Sequence, residues 1–499
     1  MNPPRFLIYL ACIPILYSCS ASRHYLPDKK YTKQELQQDF GLLRQILEKK
    51  HPSLYWYTPA DSMNYYFDSL GKAIPDSMTE LQFGWNIIAP LTHKIRCGHT
   101  SFSMSNNWYR FIRDKRLPSF PIFLKIWGDT MMVTGNYNRS DSVFKRGTFI
   151  TSVNGMNAAQ LTGKMLQYLP TDGYANNVNY IRISANFPYY HRQIFGTYKN
   201  YSVGYIDSNG NEKKAIVPLW VPPADTGSTK AIAKKPKPDI SIKQLKKERL
   251  ESYRSLQIDS INHTAVFTLN TFSTGGGKRL KHFIKQTFKT LQKENIQNLV
   301  IDLRINGGGN IGAYALLTKY IRHQPFKVAD SAYAIAKFLT PYTGRIKQGW
   351  LTNMGLFFFT TKRSDGNYHF GYYERKTFKP KKKNHFNGHV YVLISGPTFS
   401  ASTLFCNAVK GQANVTLIGE ETGGGWHGNS GIVISDIVLP KTKLRVRLPF
   451  FKIVQYNHIE KNGSGVVPDI YVPPNSVAIK NMIDQKMQTA LELIKNKKE

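Results

Sequence analysis

Cysteine is scarce in this chain, four residues in 499, so neither a disulfide-stapled small domain nor a cysteine-rich zinc module is available to it. Acidic residues are also few: 32 Asp and Glu stand against 67 Lys and Arg, a formal net charge of +35. The basic excess is spread along the chain, so it does not by itself select nucleic acid, an anionic membrane or an acidic partner. Long apolar runs are missing beyond the N-terminus, which leaves no stretch able to span a bilayer as a helix. No His/Asp/Glu cluster has metal-ligand spacing, and no cofactor is expected. Aromatic side chains, by contrast, make up 13% of the residues, which excludes a disordered or low-complexity chain. At about 100–200 residues per domain the length allows two to four cores.

The N-terminus points to a compartment. Arg5 precedes an apolar run over 6–16, too short to span a bilayer but suited to a secretory signal over 1–18. The run ends in Leu16-Tyr17-Ser18-Cys19, which resembles a bacterial lipobox, although Tyr17 stands where a small residue is usual. The resemblance implies lipidation at Cys19. A simple cleaved signal is the alternative. The expectation is an exported protein anchored in the cell envelope, at the outer membrane facing the periplasm, through its N-terminal lipid. Export argues against nucleic acid as a partner.

An α+β multidomain arrangement follows from the patterning. Leu36, Phe40, Leu43 and Leu47 recur on one helical face, His51-Pro52 ends that helix, and further helical stretches follow at 61–72 and 79–92. Residues 19–110 therefore read as a small helical N-terminal domain carrying His99. Residues 117–220 are strand-rich. A strand there runs into Asn154-Gly155, a pair that tolerates positive φ, and a helix follows. This order resembles a PDZ-like domain, which would hold an extended peptide along a sheet edge. Residues 221–257 read as a basic, solvated linker. From 258 to 475 strands and helices alternate, predicting an α/β core with parallel strands, interrupted at 325–385 by an aromatic- and lysine-rich insertion. In the tail, 476–499, Ile483, Met487, Ala490, Leu491 and Ile494 share one helical face.

Three stretches of this core could carry chemistry. In Ile301-Asp302-Leu303-Arg304-Ile305-Asn306-Gly307-Gly308-Gly309 a buried strand leads into three glycines, whose backbone N–H groups could face a developing negative charge. The Lys-Ser/Thr of a P-loop is missing, so a nucleotide site is not indicated. In Ser395-Gly396-Pro397-Thr398-Phe399-Ser400-Ala401-Ser402 a strand turns into a helix with Ser400 at its start. A plain helix cap is the modest reading of that serine. The third stretch, Gly419-Glu420-Glu421-Thr422-Gly423-Gly424-Gly425, is another glycine loop at a strand end, where open α/β sheets place ligands.

Taken together, and with Gly465-Val466-Val467-Pro468-Asp469 downstream, these motifs resemble the tail-specific, or carboxy-terminal processing, serine protease family. The resemblance implies a crotonase-like ββα-spiral core, no cofactor, and a peptide or protein substrate cleaved through an acyl-enzyme. It makes Ser400 the nucleophile and the N–H groups of Gly308 and Ala401 the oxyanion donors. One departure stands out. The carboxy-terminal processing branch takes its base from a lysine in the third loop, and that position falls here on Gly425. A branch similar to the tricorn core protease uses an upstream histidine instead, and Cys97-Gly98-His99-Thr100 resembles its "G-H-T" element. His99 is then the candidate base, with His427 its rival. Glu460 is the nearest late acid, but its spacing does not fit an orienting role. Cys97 and Cys406 flank these elements and are expected to be isolated thiols. A non-catalytic peptide- or lipid-binding lipoprotein on the same fold is the alternative function.

Overall fold

The computed structural model describes residues 25–223, 241–275 and 279–497. The signal segment, Cys19 and residues 224–240 of the basic connector lie outside the described residues.

The central sheet is built from the short apolar runs of the C-terminal half. Its spatial order is Ile470–Tyr471, Val415–Gly419, His389–Ile394, Asn298–Asp302, Thr264–Leu269 and Arg254–Asp259. The first five are parallel, and only Arg254–Asp259 runs antiparallel, at the edge. Phe267, Ile301, Val392 and Leu417 are cross-strand neighbours in one row, fully buried beneath the helices Leu280–Lys293, Ile311–Ile321 and Ala401–Val409. A residue adjacent to this row on three of these strands (Val300, Leu393, Ile418) points to the opposite face, as the period of two requires. There it meets Ala490 and Ile494 of helix Gln485–Asn496. Leu491, placed on the same face by spacing, is instead exposed. Burial on both faces explains why these strands are continuous apolar runs. Arg254–Asp259, which begins in the stretch read as linker and ends in the core, lacks that signature because only one side of it is paired and half of its residues are exposed.

A second sheet runs in the order Thr361–Lys362, Tyr368–His369, Ala329–Ala334, Arg445–Gln455, Gly428–Val438, with Phe102–Ser103 added along Arg445–Gln455. It draws the N-terminal helices into the body of the molecule. Leu36, Leu43 and Leu47 of helix Lys33–Lys50 share one core with Leu339, Ile346 and Leu356 of the insertion and with Ile437 and Leu448 of the second sheet. Asp39, fully buried, accepts hydrogen bonds from the N–H groups of Lys441 and Thr442 (2.9 and 2.8 Å). The helices of 25–110 therefore do not close a core of their own.

Residues 120–218 form a five-stranded antiparallel meander, Ile122–Trp127, Thr130–Asn136, Phe149–Val153, Asn200–Ile206 and Glu212–Pro218. The Asn154-Gly155 turn after the third strand has positive φ at both residues, +48° and +78°. It leads into helix Ala158–Leu166, whose cap Asn157 accepts from the Gln160 N–H (2.9 Å).

Candidate active site

The two glycine loops and the serine turn follow adjacent parallel strands, so they converge at the C-terminal ends of those strands. Ser400 stands at the start of helix Ala401–Val409 with φ +57° and ψ −121°, a strained backbone conformation for a residue with a Cβ. Its hydroxyl does not cap the helix. The modest reading of this serine as a cap therefore does not hold, and the strain has no capping bond to offset it.

Gly308 lies against Ser400. A Cβ on Gly308 would come within 2.7 Å of the Ser400 Cβ, 2.7 Å of the Phe399 carbonyl oxygen and 2.9 Å of the Ala401 nitrogen. With φ +93°, only glycine fits. The Gly308 N–H donates to Asn306 Oδ1 at 2.9 Å. The buried Asn306 amide in turn donates to the Leu269 carbonyl, and the Asn306 backbone carbonyl accepts from Phe399 N–H. Asn306 thus fastens the first glycine loop to the serine turn. The Ala401 N–H has no acceptor among the described residues.

His99 arrives from the other end of the chain. It is buried, and its ring packs on Phe399 with centroids 4.7 Å apart. The turn carrying it is held on both sides. His51 Nε2 and Thr100 Oγ1 are 2.7 Å apart, and the Gly98 N–H donates to Asp172 Oδ1 at 2.6 Å. A side chain on Gly98 would strike the Phe399 ring at 2.6 Å. His99 and Ser400 line one cavity of about 780 Å³, together with Gly308, Ala401, Arg182 and Arg447. His99 Nδ1 is buried without a hydrogen-bond partner, as is Asn429 Nδ2 on the same cavity wall. Burial, then the positive charges of Arg447 and Arg182, push the imidazole down to about 3, so it is neutral across the physiological range.

The other candidates lie elsewhere. His427 Nδ1 is paired with the Ile459 carbonyl oxygen at 2.8 Å and its ring packs against Trp56. It does not line the cavity, and neither does Glu460, which is exposed. Cys97 and Cys406 are buried free thiols. Gly425 explains the missing lysine: a Cβ there would sit 2.3 Å from the Gly428 carbonyl oxygen, so no side chain can enter at that position. Among the described residues no group of three or more His, Cys, Asp or Glu side chains could hold a metal ion.

Three residues of the site have no signature in the sequence. Arg182 and Arg447 supply its charge, and among the described residues no Asp or Glu lines the cavity. Asp172 joins its two halves: besides Gly98, it accepts from the Gly425 N–H at 3.3 Å. Burial raises its carboxyl to about 7, against the two N–H donors that lower it. Asp172→Ala leaves both N–H groups without their acceptor, at a cost of about 1–3 kcal/mol each. We expect a lower urea midpoint and slower turnover, and unchanged values for both would show that the bridge does not hold the loops.

The chain resembles known proteins in this region. Residues 263–472 match the model of peptidase family S41; this span holds Ser400, the serine turn and both glycine loops but not His99. No curated protein matches the chain. Among solved structures, mature CPAF is 14% identical, with 93% of this chain and 98% of that chain covered and a TM-score of 0.60. Mature CPAF complexed with lactacystin gives 14%, 93%, 99% and 0.59. At this identity the likeness concerns the fold, an α+β arrangement of several sheets. The tricorn protease is 12% identical, with 94% of this chain and 37% of that chain covered and a TM-score of 0.41. The glycine loops and the serine turn thus lie within a segment, residues 263–472, that matches peptidase family S41, and the chain is a serine-type peptidase.

Proposed function

We infer that the chain is an envelope-anchored endopeptidase that cuts peptide or unfolded protein segments with Ser400 as nucleophile and His99 as base. The observation that carries this reading is that His99 and Ser400, 301 positions apart, line a single cavity. In the reaction the Ser400 hydroxyl attacks the scissile carbonyl carbon and gives its proton to His99. The imidazolium then protonates the departing amine. Water, activated by the same imidazole, hydrolyses the ester. The tetrahedral oxyanion is held by the Ala401 N–H, which is free to receive it. The Gly308 N–H joins when its bond to Asn306 Oδ1 gives way. Phe399 packing, rather than a carboxylate, orients the imidazole.

The lining also bears on the substrate. Arg182 and Arg447 face the cavity and no carboxylate among the described residues does, so the site favours a peptide with an anionic group beside the cleaved bond. Such a group would offset the two cations that depress His99 and so make it a stronger base. The antiparallel unit of residues 120–218 supplies the Arg182 wall, and in this reading it acts as a PDZ-like unit that delivers the peptide. Anchoring at Cys19 rests on the lipobox-like sequence.

A fluorophosphonate probe tests the chemistry. Wild type and His427→Ala are expected to label, Ser400→Ala is not, and His99→Ala only very slowly. Equal labelling of wild type and Ser400→Ala would remove Ser400 as nucleophile.

A further inference from the structure

The insertion at 325–385 carries a surface that the peptide chemistry does not use. Its helix Gly349–Phe359 turns only Gly349, Thr352 and Leu356 inward, with Leu356 in the core shared by the N-terminal helices. The outward face is apolar as well. Trp350, Leu351, Met354, Phe357 and Phe358 are exposed, Phe358 at 69% and Trp350 at 61%, and exposed Phe338 stands beside Phe357 with ring centroids 6.0 Å apart. A helix apolar all round belongs in an interior, and a contiguous apolar patch on a surface marks an interaction site.

The charge around the patch has one sign. Residues 337–363 contain Lys337, Arg345, Lys347, Lys362 and Arg363 and no Asp or Glu. Lys337 lies over the Phe357 ring at 4.7 Å, and Lys50 reaches in from the N-terminal helix to the Phe338 carbonyl oxygen at 2.7 Å. Arg363 is paired with Glu374, and Asp365, the next acid along the sequence, is engaged by His369. Arg345, Lys347 and Lys362 are exposed and carry no ion pair among the described residues.

We propose that this helix lies flat in the headgroup region of a bilayer containing anionic lipids, with Trp350, Met354 and Phe358 inserted and the lysines on lipid phosphates. An aromatic and aliphatic face rimmed by cations is what an interfacial helix presents, and a chain of net charge +35 complements such a surface. A second copy fits less well, because two-fold pairing sets like positions face to face and would oppose these lysines to one another. The inference does not rest on the peptidase reading, and its test does not measure peptide cleavage.

Trp350 reports the contact locally, wherever else the chain is attached. Its emission is the difference between the full-length wild type and Trp350→Phe. With vesicles of phosphatidylcholine and phosphatidylglycerol it is expected to shift to the blue and resist acrylamide quenching. With phosphatidylcholine alone the change should be much smaller. Lys347→Glu with Lys362→Glu is expected to raise the half-saturating lipid concentration by about tenfold or more, and Phe358→Ser to do the same through lost apolar area. Both variants change exposed side chains only, and an unchanged Tm verifies that the fold is kept. Unchanged Trp350 emission, or an equal shift with phosphatidylcholine alone, would overturn the proposal. So would a Trp350 already shielded without lipid that becomes quenchable on dilution, since a second copy would then cover the patch.

Discussion

His99→Ala is expected to lower kcat by about 10⁴-fold, because Ser400 then has no group in the cavity to take its proton. His427→Ala, whose imidazole is spent on the Ile459 carbonyl, is expected to retain near-wild-type turnover. Comparable losses in the two variants would refute the assignment of the base. The pH dependence separates chemistry from folding. With His99 held down to about 3 by burial and by Arg447 and Arg182, its acid limb in kcat/KM falls well below the ordinary imidazole value. Stability reacts earlier. His51 is held at about 3, and His93 and His191 at about 4, each chiefly by burial. All four histidines would bind a proton near their ordinary value of about 6.5 once unfolded. Between that value and their folded values the unfolded chain carries more protons, so stability falls as pH falls. Asp172, raised to about 7, works in the opposite sense, being protonated in the fold while the unfolded carboxyl is not. The four histidines outnumber the one carboxyl, so on balance the unfolded chain takes up more protons near pH 5 and stability falls. Urea unfolding at pH 7.5 and pH 5.5 should show a large drop in midpoint at the lower value, and equal midpoints would contradict the buried neutral histidines.

Gly308→Ala carries the second large effect. The added methyl would lie 2.7 Å from the Ser400 Cβ and from the Phe399 carbonyl oxygen, and alanine at φ +93° is strained by about 1–3 kcal/mol. Relief requires the first glycine loop to withdraw from the serine turn, which widens the gap between the two oxyanion donors. We expect kcat to fall by at least about 100-fold, the scale of losing one donor, with a smaller change in KM. Gly307→Ala, where a Cβ meets nothing within 4 Å, is the control and should remain active. Equal activity of the two variants would show that the close approach of Gly308 to Ser400 is not needed.

The parts of this molecule legible in the sequence are those whose signal is local. The parallel strands announced themselves as apolar runs, and Asn298–Asp302, His389–Ile394 and Val415–Gly419 are the strands that lead into the three stretches singled out in the sequence. The glycine loops were visible because closely spaced glycines after a strand have few structural uses. What could not be read depends on residues that meet only in three dimensions. The hairpin of Gly428–Val438 and Arg445–Gln455 is bent by a register shift between Gly431 and Ile434, which breaks its alternation. Asp172 looks like any turn aspartate until Gly98 and Gly425 close on it. Helix Gly349–Phe359 disguised itself, because a helix apolar on both faces has no amphipathic period to detect. The lysine missing at Gly425 was legible as a departure, but its cause, the Gly428 carbonyl 2.3 Å from any Cβ, was not.

The pairing of Phe102–Ser103 with Arg445-Val446 has a consequence for the order of synthesis. The turn that presents His99 is steadied by a strand made some 340 residues later, and the cavity wall that includes Arg447 comes from that same strand. A nascent chain that has not yet extended past this point holds an imidazole and, later, a hydroxyl, but no shared chamber. Proteolytic competence therefore waits for the synthesis of Arg445–Gln455, well after both the imidazole and the hydroxyl have been made.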